Sequence, residues 1–244
     1  MALLLTACVN SNTKPFQGWV EADLLFVAPD ETGRVQTLKV REGSPVKEGE
    51  LLFALDDDLQ QAEVAQATAT VANARIAYDR AEKLLKTAAG TQRSYDEAQA
   101  ALREAEARFN SVQTKLARRR VFSPASGTIQ QLYYRPGELV MTGRPVLSLL
   151  PPGNIKIRFY VPEAALPKIA LGEIVHIECD GCADDLTARI SFVSQSAEYT
   201  PPVIYSLEER AKLVFLVEAR SNQPEKLRVG QPVTVSLSQQ EASR

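Results

Sequence analysis

The chain holds a single histidine, His176, among 244 residues, and no cluster of catalytic residue types accompanies it. That argues against an enzyme built on His-centred acid–base, nucleophilic or metal chemistry. No run of eighteen apolar residues occurs, so no segment is expected to span a membrane as a helix. Surplus positive charge is missing too. A net charge of -2 and a pI near 5.7 argue against a nucleic-acid partner. A composition of 45% hydrophobic and 24% charged residues is that of a folded protein, with room for one large domain or two to three small ones.

The longest pattern lies between Asp58 and Leu116. Val64, Ala67, Val71, Ala74, Tyr78, Ala81, Leu85 and Ala88 recur at steps of three and four. Tyr95, Ala98, Leu102, Ala105, Phe109, Val112 and Leu116 repeat the rhythm. Such steps are the a/d seam of a coiled coil. The stripes mirror one another: 85 pairs with 95, 78 with 102, 71 with 109 and 64 with 116, all centred on Gly90. Glycine commonly ends a helix in the left-handed conformation. The expectation is an antiparallel helical hairpin turning at Gly90.

A repeat brackets this hairpin. Gly33, Val35, Leu38, Val40, Gly43, Val46, Gly49, Leu52 and Leu55 map at a constant offset of 94 onto Gly127, Ile129, Leu132, Tyr134, Gly137, Val140, Gly143, Val146 and Leu149. Nine gapless matches are an internal repeat. A copy of about 25 residues is too small to fold unaided, so the two are expected to pack face to face as a small β-sandwich, with glycines in turns needing positive φ. The hairpin is then an insertion clamped at its base.

Beyond Pro151-Pro152-Gly153, strand-like runs at Ile155–Val161, Ile174–Cys179, Thr187–Val193, Leu213–Ala219 and Val233–Leu237 suggest a small β-barrel. Glu163–Ile169 reads as one or two helical turns. The fold class is thus α+β and multi-domain, elongated. Its parts are a leader and tether (1–18), a first half-motif (19–56), the hairpin (57–120), a second half-motif (121–150), a barrel (151–238) and a tail (239–244).

Several motifs have plain readings. Cys179-Asp180-Gly181-Cys182 is a CxxC, but Asp-Gly is a hairpin turn, so its cysteines read as a cross-strand pair near disulfide distance or as two free thiols. Metal or redox work would need partners the sequence does not show. Asp56-Asp57-Asp58 suits a helix N-terminus, and Arg118-Arg119-Arg120 a solvated helix end. His176, between Val175 and Ile177, is a surface or packing residue. At the N-terminus, Leu5-Thr6-Ala7-Cys8 resembles a bacterial lipobox, which implies acylation of Cys8 and a stable membrane tether. The leader is short for a working signal and lacks a basic start; either the start codon lies upstream or the leader is shortened.

Half-motifs split by a helical hairpin and followed by a barrel resemble the periplasmic adaptors, or membrane fusion proteins, of the HlyD secretion family. Gly33-Arg34-Val35 with Val46-Lys47-Glu48-Gly49, then Ser123-Pro124-Ala125-Ser126-Gly127-Thr128-Ile129, and Leu227-Arg228-Val229-Gly230-Gln231-Pro232-Val233 carry the resemblance, the half-motifs looking like two halves of a biotinyl/lipoyl domain. The stretch from Phe192 to Pro201 is similar to adaptors serving ABC-type exporters. The resemblance implies a ring, usually hexameric, in the periplasm of a Gram-negative bacterium, joining an inner-membrane pump to a TolC-like outer-membrane channel. It also implies a docking tip: Arg80 and Leu84 match the family's Arg and Leu, and Thr91 stands where the family has Ser. Arg80 would donate to channel carbonyls, Leu84 would make an apolar contact, and Thr91 would cap the returning helix. Ser94 with Glu97 also fits a capping box, which would leave Thr91 a loop residue. Adaptors of RND pumps usually continue past the barrel into a further domain, and no residues remain for one here. Arms of about 30 residues, ~45 Å long, need a channel that reaches toward them. Both points favour an ABC-type partner. A biotin or lipoyl carrier is disfavoured because no lysine lies between Leu55 and Gln61. A scaffold acting without an outer-membrane channel remains the competing reading. No cofactor is expected.

Overall fold

Alternating apolar residues between turn glycines produce short strands on both sides of the helical hairpin. In chain order the first elements are β1 (Phe16–Ala22), β2 (Leu25–Val27), β3 (Gly33–Leu38), β4 (Pro45–Val46) and β5 (Leu51–Leu55). Helices α1 (Asp58–Lys86) and α2 (Gln92–Ala117) follow, then β6 (Arg120–Phe122), β7 (Gly127–Leu132), β8 (Leu139–Val140) and β9 (Leu147–Leu150). The remainder holds β10 (Ile155–Pro162), a 3-10 turn at Glu163–Lys168, β11 (Ile174–Glu178), β12 (Thr187–Tyr199), β13 (Leu213–Ser221) and β14 (Pro232–Leu237). This computed structural model describes residues 15–182, 185–199 and 213–237. Cys8, Thr200-Pro201 and the tail 239–244 lie outside them. Among the described residues no helix is long and apolar enough to cross a membrane. The chain divides into one unit over 25–151 and another made of the flanking segments.

In the first unit the repeat becomes a pseudo-twofold. One sheet runs β6-β5-β3-β8 and the other β2-β9-β7-β4. Each sheet therefore takes strands from both copies, instead of each copy forming its own layer. Backbone bonds repeat across the axis: Gly43 N–H donates to Ile129 and Gly137 N–H to Val35, both at 2.8 Å, while Gly49 reaches Ser123 and Gly143 reaches Pro29. Those four glycines take positive φ, 81° and 95° in one pair and 77° and 74° in the other. Gly33 and Gly127 do not; they are needed for close approach. A Cβ on Gly127 would sit 2.5 Å from the Leu150 carbonyl oxygen, and one on Gly33 would meet the Arg119 guanidinium. Between the sheets Leu52, Phe53, Ile129, Leu147 and Leu149 are fully buried, each contributing about 1.5–3 kcal/mol.

The hairpin enters and leaves through β5 and β6. Asp57 occupies the N-cap position of α1 without a side-chain cap bond, and it is the Asp56 carboxylate that accepts the Asp58 N–H, at 3.2 Å. At the other root Arg119 is not solvated. It is 8% exposed, donates to the Thr32 carbonyl at 3.0 Å, approaches Glu31 at 3.4 Å, and its carbonyl accepts Leu55 N–H at 2.8 Å. Arg119, just past the end of α2, thus bolts the root of the hairpin onto the first half-motif.

The second unit is a closed barrel ordered β1-β10-β13-β12-β11-β14. Its five C-terminal strands overlap the five expected runs, with β12 extended to Tyr199 through two irregularities in its pairing. The sixth strand corrects the sequence reading. The sequence reading divides residues 16–22 between tether and first half-motif, yet β1 pairs antiparallel with both β10 and β14 and closes the barrel. Gly18 is bare because a Cβ there would sit 2.7 Å from that of Phe159. On β10, Lys156 bridges Asp23 and Glu218 at 2.9 and 3.1 Å. Burial alone would lower its pKa, but the two carboxylates outweigh burial and raise it.

Candidate functional site

The tip of the hairpin is where three of the sequence-predicted residues fall, and its shape follows from how α1 stops. Thr87 caps the helix. Ala88 N–H then bonds to the Leu85 carbonyl at 3.1 Å and Ala89 N–H to the Leu84 carbonyl at 2.9 Å. That crossed pair is a Schellman motif, which needs a left-handed residue just past the cap. Ala88 supplies it, with φ of 55°. The expectation that Gly90 would take this conformation is therefore corrected. Gly90 matters for space: its N–H reaches the Leu84 carbonyl at 3.0 Å, and a Cβ would sit 3.0 Å from the Cβ of Leu84.

Thr91 begins the return. It is the N-cap of α2, in extended conformation, and its hydroxyl oxygen accepts the Ser94 N–H at 3.2 Å. The alternative cap by Ser94 and Glu97 does not form; Glu97 pairs instead with Arg93 at 2.8 Å. The Thr91 hydroxyl donates to no acceptor among the described residues.

Arg80 and Leu84 stand one turn apart on α1, off the seam and on a shared face. Arg80 is exposed and has no hydrogen-bond or ion-pair partner among the described residues, and Leu84 is 43% exposed. Gly90 packs on Leu84, and Thr91 follows directly. The tip thus presents an uncommitted guanidinium, a half-open apolar side chain and a hydroxyl. Such a set can dock on a surface offering carbonyl acceptors beside an apolar pocket. It holds no nucleophile–base pair.

The seam beneath the tip keeps this geometry. Every predicted seam residue except Ala88 is buried or half-buried. Arg75 and Glu106, a pair near the mirror centred on residue 90, bridge the arms at 2.7 Å. Nearer the tip the hydroxyls of Tyr78 and Tyr95 lie 3.1 Å apart, ring centroids 5.5 Å apart, and Gln99 donates to Tyr95. The bond to Tyr95 raises the pKa of Tyr78 above the ordinary tyrosine value. Sequence reasoning placed both tyrosines in the seam but not opposite one another, because their long side chains meet diagonally across it.

The other candidates lie elsewhere. Cys179 and Cys182 form a disulfide with Cα atoms 5.2 Å apart. They are not a cross-strand pair: β11 ends at Glu178 and β12 begins at Thr187, so the bond closes a turn, with Gly181 at φ 78°, inside a longer connection. His176 is exposed on β11. Cys8 lies outside the described residues.

Comparison with known proteins fits this arrangement. A family model described as the barrel-sandwich hybrid domain of RND MFPs, MFP standing for membrane fusion protein, matches residues 25–150, just over half of the chain. The chain belongs to the membrane fusion protein family. A UPF0194 membrane protein of Acidithiobacillus ferridurans is 27% identical, over 92% of this chain and 87% of its own. The solvent efflux pump periplasmic linker SrpA of Pseudomonas putida is 33% identical, over 59% of this chain and 36% of its own. Among solved structures, the membrane fusion protein Spr0693 of Streptococcus pneumoniae superimposes with a TM-score of 0.72 at 18% identity, covering 93% of this chain and 99% of that one. This last likeness speaks for the fold alone.

Proposed function

We propose that this membrane fusion protein is a periplasmic adaptor that links an inner-membrane ABC-type exporter to a TolC-like outer-membrane channel, for efflux or secretion of drugs or other small molecules. The observation that carries the reading is the tip: Arg80 without a partner among the described residues, Leu84 half-exposed beside it, and Thr91 fixed at the cap of the returning helix. In this reading Arg80 donates to channel carbonyls, Leu84 fills an apolar contact, and Thr91 donates its hydroxyl proton. The adaptor forms a ring, a hexamer by family resemblance, in the periplasm of a Gram-negative bacterium. Acylated Cys8 tethers it to the inner membrane, and the barrel meets the pump. The protein acts by binding, and substrate choice rests with the pump.

A second reading, with an RND pump as partner, is favoured by the description of the matching family model and by the efflux-pump linker relative. Copurification separates the two, since an ABC-type partner carries an ATPase and an RND partner does not.

The test of the tip is in-cell photo-crosslinking from position 84, with Arg80→Asp as companion. An adduct with an outer-membrane channel protein that Arg80→Asp abolishes, together with lost export, is the expected result. Adducts between copies of this chain alone, with export intact in Arg80→Asp, would overturn the docking role and favour a scaffold that acts without a channel.

A further inference from the structure

The pseudo-twofold places two turns in equivalent positions on different sheets: Pro45 to Glu50 after the edge strand β4, and Leu139 to Arg144 after the edge strand β8. Their backbones agree, down to the left-handed glycines at 49 and 143. Their side chains do not. Pro45 corresponds to Leu139, Lys47 to Met141, Glu48 to Thr142 and Glu50 to Arg144. Proline and lysine at an edge are the usual means of blunting it against strand-to-strand pairing. The second edge has neither, and displays Leu139 at 59% and Met141 at 63% exposure, while Val140 between them is fully buried.

Charge differs in step. The first turn carries Lys47, Glu48 and Glu50, a surplus of one negative charge, and the second carries Arg144, one positive. Exposed residues surround both. The proline ring and the aliphatic stem of a lysine are apolar surfaces that leave the ammonium in water. They suit a leucine and a methionine, with an arginine set against glutamates at the rim. Pairing two 139–144 turns would instead oppose arginine to arginine and leave the 45–50 turn unmatched.

We propose that the Leu139–Arg144 turn docks onto the Pro45–Glu50 turn of a second copy of this chain. The contact joins unlike surfaces, so it repeats around a ring if the rotation closes. The proposal rests on the ring-forming part of the function proposed above, and names the surfaces that would hold the ring.

The full chain, with a photoreactive residue at 141, tests it by mass-spectrometric mapping of adducts. Adducts on residues 45–50 of a second copy are expected. Leu139→Lys with Met141→Lys should weaken self-association by about tenfold or more, with thermal unfolding unchanged. Arg144→Glu should weaken it too, and Glu48→Arg with Glu50→Arg in the same chain should restore it. Adducts on residues 139–144 of the second copy, adducts with a different protein or lipid only, or unchanged self-association in the double-lysine variant would each overturn the proposal. Adducts from position 84 to a channel, with none from 141 to a second copy, defeat this inference and leave the adaptor reading standing. The converse pattern defeats the adaptor reading alone.

Discussion

The two half-motifs of the sandwich share a backbone and little else. Where the chain must turn through positive φ, both copies keep glycine, and where a side chain fills the core both keep an aliphatic or aromatic residue, as at Val35 and Ile129 or Leu55 and Leu149. On the surface they diverge, with lysine and proline in one where the other has methionine and leucine. Their strand ends diverge as well. Those of β5 and β6 carry the hairpin, and the equivalent ends of β9 and β2 carry the connections to the barrel strands. A duplicated unit therefore keeps what folding demands and spends its freedom on surfaces and insertion points.

Equivalent glycines offer the sharpest way to break the comparison. Gly127→Ala drives a methyl into the Leu150 carbonyl, which is backbone and cannot step aside. The expected cost is about 2–3 kcal/mol, read by denaturant unfolding. Gly33→Ala presses on the end of the Arg119 side chain, which can move at the expense of its contacts with Thr32 and Glu31, and about 1 kcal/mol is expected. Equal costs at the two positions would refute the distinction between them.

The hairpin supplies the next contrast. All four turn positions at 43, 49, 137 and 143 use glycine for positive φ, whereas the tip uses Ala88. Ala88→Gly should stabilise the hairpin by about 1 kcal/mol, seen as a higher helical melting temperature by circular dichroism. Gly90→Ala, crowding Leu84, should do the reverse. The smallest effect concerns pH. The pKa of Tyr78 is higher in the folded hairpin than its unfolded value of 10.0. The associated stability is therefore complete below that value and is lost as pH rises through the folded one. Tyr95→Phe should flatten the alkaline decline in helix stability.

Much of this was legible in the sequence because the signals were periodic. The seam announced itself in steps of three and four, and nine matched positions revealed the repeat. A repeat, however, does not say whose strands pair. The exchange that puts β6 and β8 beside β5 and β3 arises only when two cores too small to close alone combine. Strand β1 was missed because its alternation from Phe16 to Val20 is broken by Gly18, and its barrel partners begin more than 130 residues later. At the tip, the exposure of Arg80 and Leu84 was readable, since neither falls on the seam of threes and fours. The left-handed turn was not, since glycine two residues on was the better local candidate and lost to the crossed hydrogen bonds at Ala88.

The antiparallel hairpin has a kinetic consequence. Residues 55 and 120 must meet before β5 and β6 can pair, and closing a flexible loop of that length costs on the order of 4 kcal/mol. Two arms of nearly equal length, 29 and 26 residues, return the chain to its starting point as they zip together from the turn, each contact closing only a small further loop once the one before it has formed. When they finish, Leu55 N–H lies 2.8 Å from the Arg119 carbonyl. The inserted helices act as a built-in jig, delivering the second half-motif to the first during folding.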